Sequence, residues 1–206
     1  MRSVDKAYEI VVYALFNALV KHLRIKVSLS VDVSQSEILL SFKDFTKAVL
    51  GVDDKNPTII LDAKLYRAGT TNAADRGIDM WSNFGPIIQV KHLTLTEDLA
   101  DDITESVAAD RIIIVCKDGE KETVERVLKQ LGQQIQSIIV QSQLIEWYEK
   151  SFSKKYIDTI GADIIGNLRL EFKNEFPYSK TLEPFFSERG YDKIKQNTSL
   201  FWESST

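Results

Sequence analysis

The chain has 206 residues, of which 44% are hydrophobic and 27% are charged, and its formal net charge is −4. This length allows one domain with a sizeable core, and the composition excludes a disordered or fibrous protein. The mild acidity weighs against a uniformly basic nucleic-acid-binding surface, but residues 93–110 hold six acids and no Lys or Arg, so the remainder carries a charge of +2.

The single cysteine, Cys116, lies in the apolar run 111–116, which predicts a buried free thiol. One cysteine excludes a disulfide framework and favours a reducing, cytoplasmic location. No apolar run is long enough to span a membrane, and the N-terminus lacks the apolar core of a signal peptide, so we expect no membrane partner.

The first part of the chain contains helix and strand patterns in turn. Residues 3–23 have apolar side chains at helical spacing, and residues 24–31 alternate polar and apolar, which predicts a half-buried strand. Ser34 to Glu37 has capping-box spacing and predicts a second helix that stops at Gly51. Residues 52–76 are predicted to be mostly loop, with a short apolar piece at 58–61. The apolar positions of the second helix are Ile38, Leu39, Phe42, Phe45 and Val49.

Residues 77–92 predict two short strands joined by a tight turn at 83–85, where Gly85 supplies the positive φ of a three-residue hairpin loop. We expect Ser82 to pair with Pro86. Because side chains alternate along a strand, this register fixes which residues share a face. The apolar face then comprises Met80, Ile88 and Val90.

Oxygen donors and an ammonium group are predicted to converge on the other face of this hairpin. Asp79 lies directly opposite Gln89, and Lys91 follows one pleat later. We expect the Asp79 carboxylate, the Gln89 amide oxygen and the Val90 carbonyl to bind Mg²⁺, which prefers hard oxygen ligands. Lys91 would hold the attacking water or a phosphate oxygen. Glu9, from the first helix, would complete the set directly or through water.

Beyond the hairpin, helices alternate with strands, which predicts parallel pairing through right-handed crossovers. The apolar run at 111–116 shows no alternation and predicts a central strand that is covered on both faces. We expect one domain, with a core at 1–140 and a mostly helical C-terminal extension at 141–206 packed on it. The predicted elements are helix 96–109, strand 111–117, helix 119–131, strand 135–140, and helical segments from residue 142 to about 175.

These residues resemble a known family. Ile78-Asp79 on one strand, followed by Gln89-Val90-Lys91 on the next, is similar to the PD-(D/E)xK nuclease signature. The first helix with its embedded Glu9, the hairpin and the following elements resemble the αβββαβ core of that superfamily over roughly residues 3–140. Finer similarity, to type II restriction endonucleases of the HaeII group, is carried by residues 8–12, 65–67, 71–77 and 89–93.

The resemblance implies an α/β fold with a mixed central sheet flanked by helices. It also implies a Mg²⁺-dependent endodeoxyribonuclease that cuts double-stranded DNA at a specific short site and leaves 5′-phosphate and 3′-hydroxyl ends. Cutting both strands of a symmetric site favours a homodimer. Base reading calls for basic and polar side chains, which occur in the loop at 62–76 and in the C-terminal tail, at Lys180, Arg189, Lys193, Lys195, Gln196 and Asn197. The candidate DNA contacts are Arg67, Thr71, Asn72 and Arg76.

Several alternatives stay open. Gln89 stands where the family usually has Asp or Glu, which removes one negative charge from the metal site, although some restriction enzymes of this superfamily carry an amide there. A catalytically silent DNA-binding subunit and a repair or recombination nuclease that reads DNA shape are therefore alternative functions. Asp79 and Lys91 could form a plain surface ion pair, and Glu9 could simply pair with Lys6. Trp81 is predicted to pack in the core rather than to border DNA.

Overall fold

The computed structural model describes residues 2–68, 78–94, 109–119 and 135–176, together with residues 96, 98, 123, 126, 127 and 129. Its centre is a five-stranded mixed sheet flanked by helices, which confirms the predicted α/β class. The predicted helices at 96–109 and 119–131 and the tail beyond Pro177 fall largely outside the described residues. Within the described ranges, no helix combines the length and the apolar character needed to cross a membrane.

The elements are numbered here in chain order. The helices are α1 (Arg2–Leu23), α2 (Ser36–Ser41), α3 (Lys43–Phe45), α4 (Gln141–Ser151) and α5 (Ala162–Glu175), with π-helical turns at Thr46–Leu50 and Ile157–Gly161. The strands are β1 (Lys26–Ser30), β2 (Thr58–Asp62), β3 (Leu65–Arg67), β4 (Met80–Ser82), β5 (Ile87–Thr94), β6 (Ile112–Lys117) and β7 (Ile135–Val140).

The main sheet has the strand order β3-β4-β5-β6-β7. Strands β3, β4 and β5 pair antiparallel, whereas β5, β6 and β7 pair parallel, as the alternation of helix and strand patterns predicted. The prediction that residues 52–76 are mostly loop missed β3, and its short apolar piece at 58–61 ended one residue before β2 does. Three residues are too few to show a strand period, and β3 forms because Leu65, Tyr66 and Arg67 pair with β4.

Two apolar clusters cover the two faces of the sheet. Residues of α1 and α5 pack with Val115 of β6 on one face, and the second cluster holds Ile112, Ile114 and Cys116 of the same strand. Strand β6 is therefore buried on both sides, as predicted from its unbroken apolar run. Cys116 is fully buried and is a free thiol, which confirms that prediction too.

Strands β1 and β2 form a separate two-stranded ribbon. The prediction of a half-buried strand at 24–31 was wrong in its burial, because β1 pairs only with β2 and Leu29 keeps 43% of its surface exposed. The single helix predicted after Ser34 is divided into α2, α3 and a π-helical turn. Its predicted stop is confirmed, since Gly51 adopts a left-handed φ of 74° and closes the segment.

Helix α5 packs along α1 and brings the end of the described chain back to the sheet. Asn167 donates its amide to the Ala14 carbonyl at 3.2 Å, and Tyr148 of α4 donates its hydroxyl to the Val11 carbonyl at 2.7 Å. These contacts attach the C-terminal helices to the first helix. The division into a core at 1–140 and an extension at 141–206 stays a prediction.

Candidate active site

The hairpin of β4 and β5 has the predicted register. Met80 faces Ile88 and Trp81 faces Ile87, which is the alignment that places Asp79 level with Gln89. Met80 and Ile88 point into the cluster beneath α1, as predicted, and Val90 does so as well. The register follows from apolar alternation, because a slip of one residue would turn these side chains away from α1.

The turn between the strands depends on its glycine. Gly85 has a φ of 116°, which confirms the predicted positive value. A Cβ at this position would also overlap the guanidinium of Arg111, whose Nη2 donates to the Phe84 carbonyl at 2.6 Å. Arg111 therefore ties the hairpin turn to the start of β6, a role that the sequence pattern did not reveal.

Asp79 lies directly before β4, where it is fixed across the hairpin. The Val90 N–H donates to Asp79 Oδ2 at 2.7 Å, and the Asp79 carbonyl accepts the Ala68 N–H at 2.9 Å. Burial raises the pKa of the Asp79 carboxyl, against the opposing effects of the Val90 N–H and of the Lys91 and Lys6 ammonium groups. Asp79 and Lys91 thus interact electrostatically, as the shared face predicted.

Glu9 of α1 reaches the same point. Its side chain is buried, with the residue 5% exposed, and it lies close enough to Asp79 for the two carboxyl groups to influence each other's pKa. The Lys6 ammonium donates to both carboxylate oxygens of Glu9, at 2.7 and 3.0 Å. The alternative pairing of Glu9 with Lys6 is therefore observed, whereas the role of Glu9 in a metal site stays a prediction.

The pKa of Glu9 is raised to about 7, because burial disfavours its charge and the Asp79 carboxylate repels it. The Lys6 ammonium acts in the opposite direction and keeps the value from rising further. The pKa of Asp79 is raised as well, and burial is the largest cause for both carboxyl groups. Buried carboxyl groups with raised pKa values occur at acid–base and metal-binding sites, and also in structural ion-pair networks.

Gln89 and Lys91 lie at different depths. Gln89 is 2% exposed in the middle of β5, beside Ile114 of β6, whereas Lys91 is only half-buried. Ile87, which shares the Gln89 face by alternation, belongs to the cluster on the side of the sheet away from α1. By this alternation the Gln89 side chain lies on the face away from α1, whereas Glu9 belongs to α1, so the two buried polar residues are not on one side of the sheet.

The donor set suits a hard divalent cation. Asp79, Glu9, the Gln89 amide and the Val90 carbonyl provide oxygen atoms, and the Lys6 ammonium already occupies both oxygens of Glu9 as a cation. Within the described residues, no group of three or more His, Cys, Asp or Glu side chains is placed to hold a metal. A metal here would therefore depend on amide and backbone oxygen in addition to the two carboxylates.

The predicted DNA contacts are only partly described. Arg67 is described, and its side chain is 6% exposed, with Nε donating to Glu171 at 2.9 Å and Nη2 donating to Glu175 at 2.8 Å. A DNA-contact role does not fit this arrangement, because the charge of Arg67 is already taken up by two carboxylates of α5. Thr71, Asn72 and Arg76 lie outside the described residues.

Trp81 differs from its prediction. It was expected in the core, yet it is 46% exposed and stacks on Tyr66 of β3, with ring centroids 4.0 Å apart. The alternation that buries Met80 turns its neighbour outward, so the pair forms an aromatic platform on the outer side of the hairpin. The strand register already contained this information, since Trp81 occupies the opposite parity from Met80.

Comparison with known proteins identifies the family. The family model for the HaeII restriction endonuclease matches residues 1–191. The chain belongs to this family. Two curated relatives of the family are the type II restriction enzyme HaeII of Haemophilus aegyptius, 46% identical, and the type II restriction enzyme NgoBI of Neisseria gonorrhoeae, 45% identical, each over 196 residues. The resemblance stated from the sequence is thereby confirmed.

These matches cover nearly all of this chain but only part of each relative. Each alignment covers 93% of this chain but only 56% of the HaeII enzyme and 55% of the NgoBI enzyme, so the chain spans about half the length of the curated relatives it matches. No solved structure matches the chain. Membership of the family agrees with the observed mixed sheet flanked by helices, which is consistent with a PD-(D/E)xK-like core.

Proposed function

We propose that this chain carries the catalytic core of a type II restriction endonuclease, which hydrolyses phosphodiester bonds in double-stranded DNA at a specific short site. The relatives carry that description in their names. The observation that supports it most directly is the Asp79 carboxylate, which accepts the Val90 N–H and lies within the electrostatic influence of the Lys91 ammonium and the Glu9 carboxyl group. A surface ion pair would need neither the buried acid nor the fixed carboxylate.

Each residue has a proposed role. Asp79, the Gln89 amide and the Val90 carbonyl would hold Mg²⁺, which when bound would neutralise charge on the scissile phosphate and lower the pKa of water. Lys91, half-buried beside Asp79, orients the attacking water or a phosphate oxygen. Glu9 accepts or releases a proton next to Asp79, since its pKa of about 7 lies close to the working pH.

The proposed substrate sets the expected partners and location. Cleavage of both strands of a symmetric site requires two active sites, so we propose a homodimer on double-stranded DNA. The free thiol of Cys116 suits a cytoplasmic location, which stays a prediction. Thr71, Asn72 and Arg76 stay proposed DNA contacts, whereas Arg67 is proposed instead to fix α5 to the sheet.

A plasmid digest in the presence of Mg²⁺ tests this proposal. We expect the unmodified chain to give discrete fragments, and Lys91→Ala to cleave about 10²- to 10⁴-fold more slowly, as for the loss of a group that positions a proton or nucleophile. The matched control is Lys154→Ala, because Lys154 is an exposed lysine after α4, away from the hairpin. Absence of cleavage by the unmodified chain on every DNA tried would contradict the proposal.

One observation favours a second function. Gln89 is neutral and 2% exposed, so the metal site has fewer charges than most sites of this kind. A catalytically silent DNA-binding subunit would bind DNA equally well after Asp79→Asn and would bind no Mg²⁺ in a calorimetric titration. Nicking without a fixed fragment pattern, or a preference for branched DNA, would instead favour a repair or recombination nuclease.

A further inference from the structure

An open groove of about 820 Å³ runs between the C-terminal half of α1 and the segment that leads from β2 into β3. Twelve residues line it, and four of them are basic, whereas one, Asp62, is acidic. The basic residues are Lys21, Arg24, Lys26 and Lys64. This local excess of positive charge stands out in a chain whose net charge is −4.

Two of the four cations already pair with aspartates. The other two, Arg24 and Lys64, are exposed, and among the described residues no carboxylate forms an ion pair with either, although the Lys64 ammonium acts electrostatically on Asp62. Glu171 of α5 lies near the start of the groove, but Arg67 donates to it at 2.9 Å. The groove therefore keeps two positive charges that the protein does not neutralise at contact distance.

The backbone at Arg24 has an uncommon conformation. Arg24 directly follows α1 and has a φ of 50°, in the left-handed region where a helix commonly ends on glycine. Its N–H donates to the Lys21 carbonyl at 3.2 Å, so the helix closes on a residue that is strained in this conformation. Strained residues of this kind concentrate at functional sites, and here the strain places a guanidinium at the groove.

Lys64, on the other wall, is held by the hairpin that carries the candidate active site. Its N–H donates to the side-chain oxygen of Asn83 at 2.8 Å, and its carbonyl accepts the Asn83 N–H at 3.2 Å. The Asn83 amide also donates to the Asp62 carbonyl at 2.8 Å. Because these bonds use the backbone of Lys64, its ammonium group is left for another partner.

The groove begins beside the candidate active site. On one wall, Tyr13 lies one helical turn after Glu9 and on the same side of α1. On the other wall, Tyr66 comes two residues before Ala68, whose N–H donates to the Asp79 carbonyl at 2.9 Å. Both walls therefore start next to the two carboxyl groups of the site.

From there the groove follows α1 as far as Arg24, which lies about 22 Å from Glu9 along the helix. A DNA strand has one phosphate per about 3.4 Å of duplex axis, so this length spans about six successive phosphates. Tyr13, Asn17 and Tyr66 add hydroxyl and amide groups, which donate to phosphate oxygens in protein–DNA complexes. The length, the charge and the donors all match a DNA backbone.

We propose that this groove binds the phosphate backbone of double-stranded DNA where the duplex leads away from the candidate active site, with Arg24 and Lys64 as phosphate contacts. The inference rests on the proposed function, since it names the surface on which that substrate lies. Contacts to phosphate position a duplex and carry no sequence information themselves. Binding through the groove is therefore expected with duplexes of any sequence.

Fluorescence anisotropy of a labelled duplex tests the groove. The full chain is titrated without divalent metal, so that binding is measured apart from cleavage, at a series of KCl concentrations. We expect Arg24→Gly and Lys64→Ala each to weaken binding about fivefold to tenfold at about 0.1 M salt, and to lower the slope of log K against log[salt] by about 1. The double variant R24G/K64A should lower that slope by about 2, because each phosphate contact releases its own counterion.

Lys129→Ala is the matched control for loss of charge. Lys129 is exposed in the helical stretch whose Val127 packs on the sheet face away from α1, so its removal should leave the affinity and the slope unchanged. Arg24→Lys keeps the positive charge and should retain the slope of the unmodified chain.

Arg24→Gly also separates binding from folding. Glycine accepts a φ of 50° more readily than arginine does, so the midpoint of urea unfolding should stay the same or rise while DNA affinity falls. A lowered midpoint together with weaker binding would show that Arg24 acts through the fold, which would contradict its role as a phosphate contact.

Failure of the groove is distinguishable from failure of the nuclease proposal. If the unmodified chain binds duplexes through Arg24 and Lys64 but never cleaves one with Mg²⁺, the nuclease proposal fails and the groove stands. If the unmodified chain cleaves DNA while R24G/K64A keeps its affinity and its salt slope, the groove is overturned and the nuclease proposal stands. Absence of duplex binding at about 100 µM protein and low salt would also overturn the groove.

Discussion

The sheet region and the ribbon region of this chain treat polar and apolar side chains in opposite ways. The sheet region buries two polar residues, Glu9 of α1 at 5% exposure and Gln89 of β5 at 2%, among aliphatic side chains. The ribbon of β1 and β2, with its helical segment, instead exposes large apolar side chains such as Phe42 at 61%. Burial of polar groups costs stability unless they are hydrogen-bonded or paired, and large exposed apolar surfaces mark interaction sites or promote aggregation.

The same contrast appears in the ion pairs. Arg67 is 6% exposed between Glu171 and Glu175, whereas Lys26 and Asp62 on the ribbon are 61 and 66% exposed. A buried pair is expensive to break, since it leaves a charge without solvent or partner. An exposed pair is screened by water and costs little to lose. The difference indicates that ion pairs within the chain stabilise the sheet region more than they stabilise the ribbon.

The largest effect is expected at the buried ion pairs that Arg67 forms. Arg67→Met keeps the aliphatic stem but leaves Glu171 and Glu175 without their partner. We expect the free energy of unfolding to fall by about 3–5 kcal/mol in a urea titration followed by circular dichroism. If Arg67→Met kept full stability and lost only DNA affinity, the original DNA-contact prediction would be correct.

A second prediction concerns the acid pair. The pKa of Glu9 is about 7 in the folded chain against an ordinary 4.5, so the unfolded chain releases this proton first as the pH rises. The free energy of unfolding should therefore fall between pH 4.5 and about 7 and then level off. The loss is at most about 3–4 kcal/mol, because each unit of pKa difference corresponds to about 1.4 kcal/mol.

Glu9→Gln should remove this part of the pH dependence, which urea titrations at pH 5, 6, 7 and 8 would measure. Glu146→Gln is the control, because Glu146 is exposed on α4 and should leave the curve of the unmodified chain in place. An identical decline in Glu9→Gln and in the unmodified chain would show that another group titrates.

A third, smaller effect is expected at Gln89, where the site has a neutral side chain. Gln89→Glu puts the family's usual acid into a site that is 2% exposed, so we expect a loss of about 2 kcal/mol at pH 8 without metal. Mn²⁺ should restore the midpoint of unfolding if this side chain faces the cation, because ligand binding to the folded state stabilises it. Destabilisation that Mn²⁺ leaves unchanged would place the Gln89 amide outside the metal site.

The smallest effect is expected on the ribbon. Lys26→Met removes the exposed partner of Asp62 and should leave the unfolding curve unchanged within error. This variant is also the matched control for Arg67→Met, since both replace a basic strand residue by the same side chain. A loss as large as that of Arg67→Met would mean that the ribbon is more tightly packed than its exposure indicates.

Much of the sheet was predictable because its signals are local. The apolar run ending at Cys116 predicted a central strand, and the parity of Met80, Ile88 and Val90 predicted the hairpin register. Gly85 marked the turn, since few other residues accept its φ. Strand β3 was missed because three residues carry no period, and its existence depends on pairing with a strand more than a dozen residues later.

The site was predictable in part for the same reason. Asp79 and Lys91 were assigned to one face from strand alternation. Burial raises the pKa of Asp79, and the nearby Lys91 ammonium opposes that rise. The contact of Glu9 with Asp79 was only a possibility in the sequence, because it joins two elements about 70 residues apart. The capture of Arg67 by Glu171 and Glu175 had no sequence signal at all.

The sequence by itself determined the class of the fold, the hairpin register and the family, because alternation, turn chemistry and motif spacing are properties of neighbouring residues. Only the tertiary structure decided which charges meet and which apolar side chains stay exposed. A helical stripe looks the same whether it faces its own core or a partner, and an arginine looks the same whether it meets DNA or two glutamates. The packing of distant elements settles both, since burial and ion pairing depend on what lies across the contact.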